Sequence, residues 1–526
     1  MKTRFLFVIV AIVTIFSMAL TACGGPATPT KAVEPTKAAE KPAEATKAPE
    51  KPAEATKAPA AAEPTKAAVE PAKKSALEGK KIEMAILGIG GWLPSRLGVD
   101  MSPDFAKFAK EKYGYDVTFT FQEAPFSALF QKAATSLAAK SQEYNIIISD
   151  SQWLGAFAEQ KYIVPLNDII AKNPNMQVEW WDPVVKNAYM TYPDGSDKLY
   201  GLPEEGDVVV LYVRKDLFSD QKEKDDFKAK YSIDLPQTFA DWEKIDMETF
   251  EKIAEFFTRP DKGLWGTAYQ YNKEYDFMTM FLYPFMFSMG GDIWDPKDSK
   301  IYGILNSDVN AKAMEWNKRM LKYQPDGALN YGISELMDAF TQGKLATGFM
   351  WAAVGAGMIP DKFKGKVDVV PPPAFKTADG KLKRVYSIGG QPWVINAFND
   401  ADHMQVAIDF LNWWYMPETQ LAYAKKGGNP TDKKTLSSPG FDEIQPWFKA
   451  YKYMLTTEHA RDFWHEPTYS QMLAVQQEGW TGFASDSYKD AAKVLEYIAC
   501  EQQKIQFEAG RTKIAPPDSC KNAKAE

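Results

Sequence analysis

Carboxylates and tryptophans carry most of the chemical potential in this chain. Glu204-Glu205-Gly-Asp207 puts three acids within four residues. Paired acids serve as general acid and base in glycoside cleavage, and equally as acceptors for hydroxyl groups held in a cleft. Asp150, within Ser149-Asp-Ser-Gln-Trp153, and Glu123 follow apolar or alternating runs and suit the second task. Trp92, Trp153, Trp351 and Trp393 lie at or just after strand-like runs, or beside Gly-rich turns. An indole ring packs on the flat apolar face of a sugar while a few polar groups fix its orientation. Large aromatics also dominate cores, so for any one ring both roles stay open. Their recurrence at several strand ends favours the ligand role for the set.

Other chemistries find little support. The three histidines, His403, His459 and His465, lack metal-motif spacing and have no cysteine beside them, so no metal site is expected. No G-x-S-x-G elbow occurs, and Gly88-Ile-Gly-Gly lacks the third glycine of a dinucleotide fingerprint. No catalytic residue and no cofactor is therefore expected. A formal net charge of −7 without basic runs excludes nucleic acid as a partner, because phosphate binding needs clustered positive charge.

The N-terminus reads as an export signal. Lys2 and Arg4 precede a 16-residue apolar run, Phe5 to Leu20, shorter than the roughly 20 residues of a spanning helix. Leu20-Thr-Ala-Cys23 resembles the bacterial lipobox, whose cysteine is acylated and becomes the mature N-terminus. Lipid on Cys23 would anchor the chain to the outer face of the cell membrane. Residues 24–76 are then rich in Ala, Pro, Lys, Glu and Thr, with Lys41–Glu50 nearly repeated as Lys51–Ala60. Such a segment cannot bury a core and is expected to form a disordered tether spanning about 40 Å as a coil. Cys500 and Cys520 remain after Cys23, and two cysteines in an exported protein imply one disulfide, with free thiols the alternative.

The body that must position the acids and rings alternates strand and helix signals. Ile82–Leu87 is a short apolar run, and Pro103–Lys112 is amphipathic with a proline at its start. Tyr115–Phe121 alternates with period two. Phe126, Leu129, Phe130, Ala133, Leu137 and Ala138 lie at helical spacing, and Asn145–Ile148 is a buried-strand run. The expected fold is α/β, with ligand beyond the carboxyl ends of the strands.

Taken in order, several segments resemble the extracellular solute-binding proteins of ABC importers, family one. They are Asn145–Asp150 with Trp153–Asp168, Tyr192-Pro-Asp-Gly-Ser-Asp-Lys-Leu-Tyr-Gly-Leu-Pro203, Val208–Phe218 and Leu235–Trp242. Phe340–Trp351, Ser387–Gly390, Ala407–Trp413 and Gly427–Thr431 continue the series. The resemblance spans roughly residues 80 to 440 and implies two α/β lobes hinged by crossing strands. Mapped here, lobe one is 77–212 plus 391–447, and lobe two is 213–390 plus 448–526, with 218–244 a solvated elaboration. It also implies that Asp150 and Asp207 face the cleft from lobe one, and Tyr271 and Asp276 from lobe two. Trp351 and Gly389-Gly390-Gln391 match cleft or hinge positions; the strand-end residues Trp92, Glu123, Trp153 and Trp393 and the acid Glu204 complete the expected ligand set. The implied function is capture of a sugar or oligosaccharide outside the cell and its delivery to an ABC permease. A secreted glycan-processing enzyme, or a binder of a peptide or polyamine, are the alternatives.

Overall fold

Lys81–Ile89 (β1) alternates exposed and buried residues at its start and is buried along its second half, where it enters the middle of a layered sheet. The computed structural model describes residues 75–377 and 379–526; Cys23, the export signal and the linker up to Lys74 lie outside the described residues. Asp116–Ala124 (β2) and Ile146–Ile148 (β3) flank β1, both parallel to it. The connections are Leu93–Asp100 (α1), Ser102–Tyr113 (α2) and Phe126–Ala138 (α3). Helix α1 was not expected, although Pro94 near its start is a usual opening for a helix and Leu97 and Val99 give it a buried face.

Leu202–Pro203 (β4) completes one edge of this first sheet, whose order is β2-β1-β3-β11-β4, with β11 being Pro392–Ile395. The second sheet is built on Asp207–Arg214 (β5), a Val-rich strand buried along nearly its whole length. Thr347–Trp351 (β6), Val367–Val370 (β7) and Tyr386–Gly389 (β10) pair with β5 antiparallel, and Ala460–Arg461 (β12) pairs with β10. Phe375–Lys376 (β8) and Leu382–Lys383 (β9) form a separate two-stranded ribbon. All of β5 pairs within the second sheet, so the chain leaves the first sheet at 204–206, earlier than the 212/213 boundary read from the sequence. It returns at Gly390–Gln391 and departs again after β11, giving three crossings.

The first two crossings run side by side. Glu204 and Glu205 donate their backbone N–H groups to the Gln391 carbonyl, at 2.7 and 3.2 Å. Gly389 pairs with Asp207 on one side, and Pro392 with Pro203 on the other. Gly390 between them has φ +93°, and a Cβ there would sit 2.8–2.9 Å from Glu205 O, Tyr189 Oη and Asp207 N. Only glycine fits that turn.

Helices cover the second sheet. Thr279–Met289 (α4) is buried on every side and packs against β10 and Asp308–Arg319 (α5). Ala401–Trp414 (α6) covers the first sheet, its Phe410 and Trp414 rings meeting Trp393 edge-on at 5.5 and 5.6 Å. Tyr469–Ala484 (α7) and Ala491–Glu508 (α8) pack on each other and against α4 and α5. The 218–244 segment carries surface ion pairs such as Lys222–Asp226, but Phe227, Leu235 and Trp242 pin it to the core. A disulfide joins Cys500 on α8 to Cys520, with the Cα atoms 5.3 Å apart and a sequence separation of 20. In the chain-entropy model, closing a loop of that length stabilises by about 3 kcal/mol. Among the described residues no helix is long and apolar enough to cross a membrane.

Candidate ligand-binding site

A cavity lies where the ends of β1, β3, β6 and β10 meet the two side-by-side crossings. The first sheet contributes Ile89, Trp92, Phe126, Asp150 and Gln152 to its wall. Asp276, Phe277, Met280, Ile333 and Trp351 come from the side of the second sheet. Asp207 and the Gly389-Gly390-Gln391 turn form the floor between them. Rings and aliphatic groups make up most of this wall, and three aspartates supply its charge.

Each aspartate is fixed by local backbone. Asp150 follows β3 and begins a short turn, where its Oδ1 accepts from Ser151 Oγ at 3.3 Å and Gln152 N at 3.4 Å. Asp207 opens β5, and its Oδ1 accepts from Val208 N at 2.8 Å and from Ala353 N at 3.0 Å. Burial, then the charge of Asp462, pushes the Asp150 carboxyl up to about 7 despite those hydrogen bonds. Burial raises Asp207 well above the usual carboxylate range, opposed by the N–H groups of Ala353 and Val208. Asp276 is raised in the same direction by burial and by the neighbouring charges of Asp150 and Asp462. Behind the floor, Glu205 accepts from Trp92 Nε1 at 2.5 Å, and burial with Asp207 and Glu204 nearby raises its carboxyl too. Desolvation, which penalises the charged form, is the largest cause of each of these shifts.

The aromatic wall depends on one close approach. Trp351 ends β6, and its ring lies against Gly389, where an added Cβ would meet it at 2.9 Å. Phe281 packs edge-on to the same ring at 6.0 Å. Trp351 is therefore 7% exposed, a wall with its far side packed rather than the open platform its small neighbours imply. Tyr275 bridges the cleft: its hydroxyl donates to Gln152 Oε1 at 3.1 Å and its ring meets Phe126 edge-on. Its backbone has φ +50°, a conformation that costs a non-glycine residue about 1 kcal/mol or more.

Trp92, Asp150, Asp207, Asp276, Trp351, Gly390 and Gln391 thus come together at the cavity, whereas five other expected residues do not line it. Glu123 is exposed at the end of β2, the edge strand of its sheet. Trp153 is fully buried among Phe126, Phe130 and Phe157, where it supports Phe126 from behind. Trp393 is fully buried beneath α6. Tyr271 is buried in the second lobe and donates to Asn317 O at 3.1 Å on α5. Glu204 is buried behind the floor beside Tyr423, its carboxyl raised well above the usual range by burial. Sequence reasoning missed Ile89, Phe126, Gln152, Phe277, Met280 and Ile333. Of these only Ile89, in Gly88-Ile-Gly-Gly, and Gln152, two residues after Asp150, stood at strand ends.

A second cluster ties the two sides beside the cavity. His465 follows β12, and its ring bonds Asp194 Oδ1 at 2.5 Å and Asp462 Oδ2 at 3.0 Å. Burial alone would lower its pKa, but the two carboxylates outweigh that and raise it, holding the imidazolium form. Arg511 makes a parallel link, donating to Glu466 at 2.7 Å and to Glu159 and Tyr192, each at 2.6 Å.

Residues 97–421 match the family model described as bacterial extracellular solute-binding protein. The chain belongs to that family. As an extracellular solute-binding protein it works outside the cytoplasm, and its two-lobed fold is that of solved periplasmic binding proteins. A solute-binding protein from Agrobacterium radiobacter K84 in complex with ribitol aligns with TM-score 0.63 at 19% identity, covering 82% of this chain and 99% of that one. A maltose-bound protein of T. maritima aligns with TM-score 0.64 at 18% identity, covering 81% of this chain and 100% of that one. A third, from Agrobacterium vitis S4 with bound D-mannitol, gives 0.62 at 16%, covering 82% and 99%.

The two tryptophans nearest the crossings should behave differently in this solute-binding protein. Trp393→Ala empties a closed core site and should cost about 3–5 kcal/mol. Trp351→Ala removes a ring already bordered by cavity and should cost distinctly less. Denaturant unfolding of both variants checks this, and equal losses would show that Trp351 is core.

Proposed function

We propose that this solute-binding protein captures a carbohydrate between its lobes, is tethered to the membrane through lipid on Cys23, and delivers its cargo to an ABC permease. The cavity carries the reading: Trp92 and Trp351 offer flat apolar rings, and Asp150, Asp207, Asp276 and Gln391 surround them with hydroxyl-binding groups. That mixture suits a molecule whose ring faces are apolar and whose edge is polar. Ribitol, maltose and D-mannitol, bound to the solved proteins of the same fold, support it. Sheet membership supports a lobe one of residues 77–206 and 391–447, with the remaining residues from 207 onward forming lobe two. Pivoting at the paired crossings would close the lobes on ligand, and a permease reads loading from the resulting shift toward the closed form.

Calorimetric titration and thermal unfolding with maltose, longer maltooligosaccharides, ribitol and mannitol test the reading. At least one should bind, and at one hundred times its Kd it should add about 2.7 kcal/mol of stability. No response to a broad panel of sugars and polyols would overturn the carbohydrate assignment.

Lipid attachment has its own test. Expressed in a bacterium, the wild-type chain should partition into detergent with an acylated N-terminal Cys23, and Cys23→Ala should stay unacylated. A mature N-terminus elsewhere by mass spectrometry would rule it out.

A further inference from the structure

The charge of the cavity is one-sided. Asp150, Asp207 and Asp276 line it, and none of its wall residues is Lys, Arg or His. The three are 94–99% buried, with exposures of 5%, 1% and 6%, so water screens them poorly. The backbone donors Gln152 N to Asp150, and Val208 N and Ala353 N to Asp207, fall on Oδ1. His465 is a buried cation, but its two ring nitrogens are already committed to Asp194 and Asp462. A separate observation points to a hydrogen-bond donor on the ligand. Gln391 lines the cavity at 5% exposure, and its Oε1 has no hydrogen-bond partner among the described residues. An acceptor amide and three carboxylates can take further donors, and no wall residue offers a counter-charge.

We propose that the ligand carries an ammonium group, as an amino sugar does, with Asp150, Asp207 and Asp276 as its counter-charges and Gln391 Oε1 as a further acceptor. This rests on the carbohydrate reading above and narrows it. An ammonium group brings three donors and no acceptor, which matches a wall of acceptors. Phe126, Phe277 and the indoles add polarisable ring faces, which attract cations most strongly where water is excluded. A metal ion is the other candidate cation. Among the described residues, however, no three His, Cys, Asp or Glu side chains converge closely enough to hold one. Burial of the acids favours protons on them, which an ammonium ligand would displace.

Three disaccharides with the same β-1,4 backbone separate charge from shape: cellobiose, N,N′-diacetylchitobiose and its fully deacetylated diamine. Spermidine serves as a cation without a sugar. Titration of the full chain near neutral pH should find the diamine bound at least about 100-fold more tightly than cellobiose, the size of a charge-assisted bond in a dry site. Asp276→Asn should cut that preference about tenfold or more. Asp150→Asn provides the same test should the first variant fold poorly. Neutral disaccharides binding as tightly as the diamine would overturn the ammonium assignment and leave the carbohydrate reading standing. Spermidine binding with no disaccharide bound would keep the ammonium assignment and overturn the carbohydrate reading. No binding of any amine-bearing probe at about millimolar concentration, or a diamine preference unchanged in both variants, would overturn the assignment.

Discussion

Taking an ionised carboxyl out of water costs several kcal/mol unless a counter-charge, hydrogen bonds or a proton offset it. Five such groups, Asp150, Glu204, Glu205, Asp207 and Asp276, are buried around one cavity and its floor. The chain meets that constraint by different means at each. Backbone N–H groups of β5 and of the turn after β6 hold Asp207, and the Trp92 indole holds Glu205. Asp150 takes a backbone and a hydroxyl donor from its own turn. Glu204 has only the Tyr423 hydroxyl beside it, and burial outweighs that neighbour, which favours protonation as its means of neutrality. Ligand chemistry is the remaining offset.

Where these acids stand follows from the crossings. Three of the five lie on the stretch from Glu204 to Asp207 that leaves the first sheet, and that stretch is hydrogen-bonded to the returning chain at Gln391. A hinge needs few bonds that survive rotation, and two neighbouring crossing segments sharing one carbonyl meet that need. Gly390 lets the turn close without a side chain, and Gly389 lets Trp351 reach the cavity wall. Position of charge, pivot and aromatic wall therefore depend on the same few residues.

Much of the first lobe was legible because its signals are local. Alternation in Tyr115–Phe121, helical spacing from Phe126 and the apolar run before Ser149 each name an element without long-range knowledge. Trp92 and Asp150, which line the cavity, stand just beyond those elements and are legible as strand-end residues for the same reason. Trp153 and Trp393 show the limit. Both stand at similar sequence positions, yet each ring is claimed by aromatic neighbours, Phe130 and Phe157 for one, Phe410 and Trp414 for the other. Glu123 was misplaced because strand order, not sequence order, decides which strand ends are central. Phe277 and Ile333 reach the cavity from segments distant in the chain, and no local pattern announces that.

The account turns on carboxyl groups shielded from water at the centre of the molecule. Carbon-13 NMR titration of the side-chain carboxyls in the ligand-free protein measures this directly, with Asp150→Asn, Asp207→Asn and Asp276→Asn assigning the signals. The structure predicts a small group of aspartates and glutamates that still titrate near or above neutrality, with Asp150 at about 7. If every carboxyl in the protein is instead ionised by about pH 5, as freely hydrated groups are, the cavity is open to water and the account is contradicted.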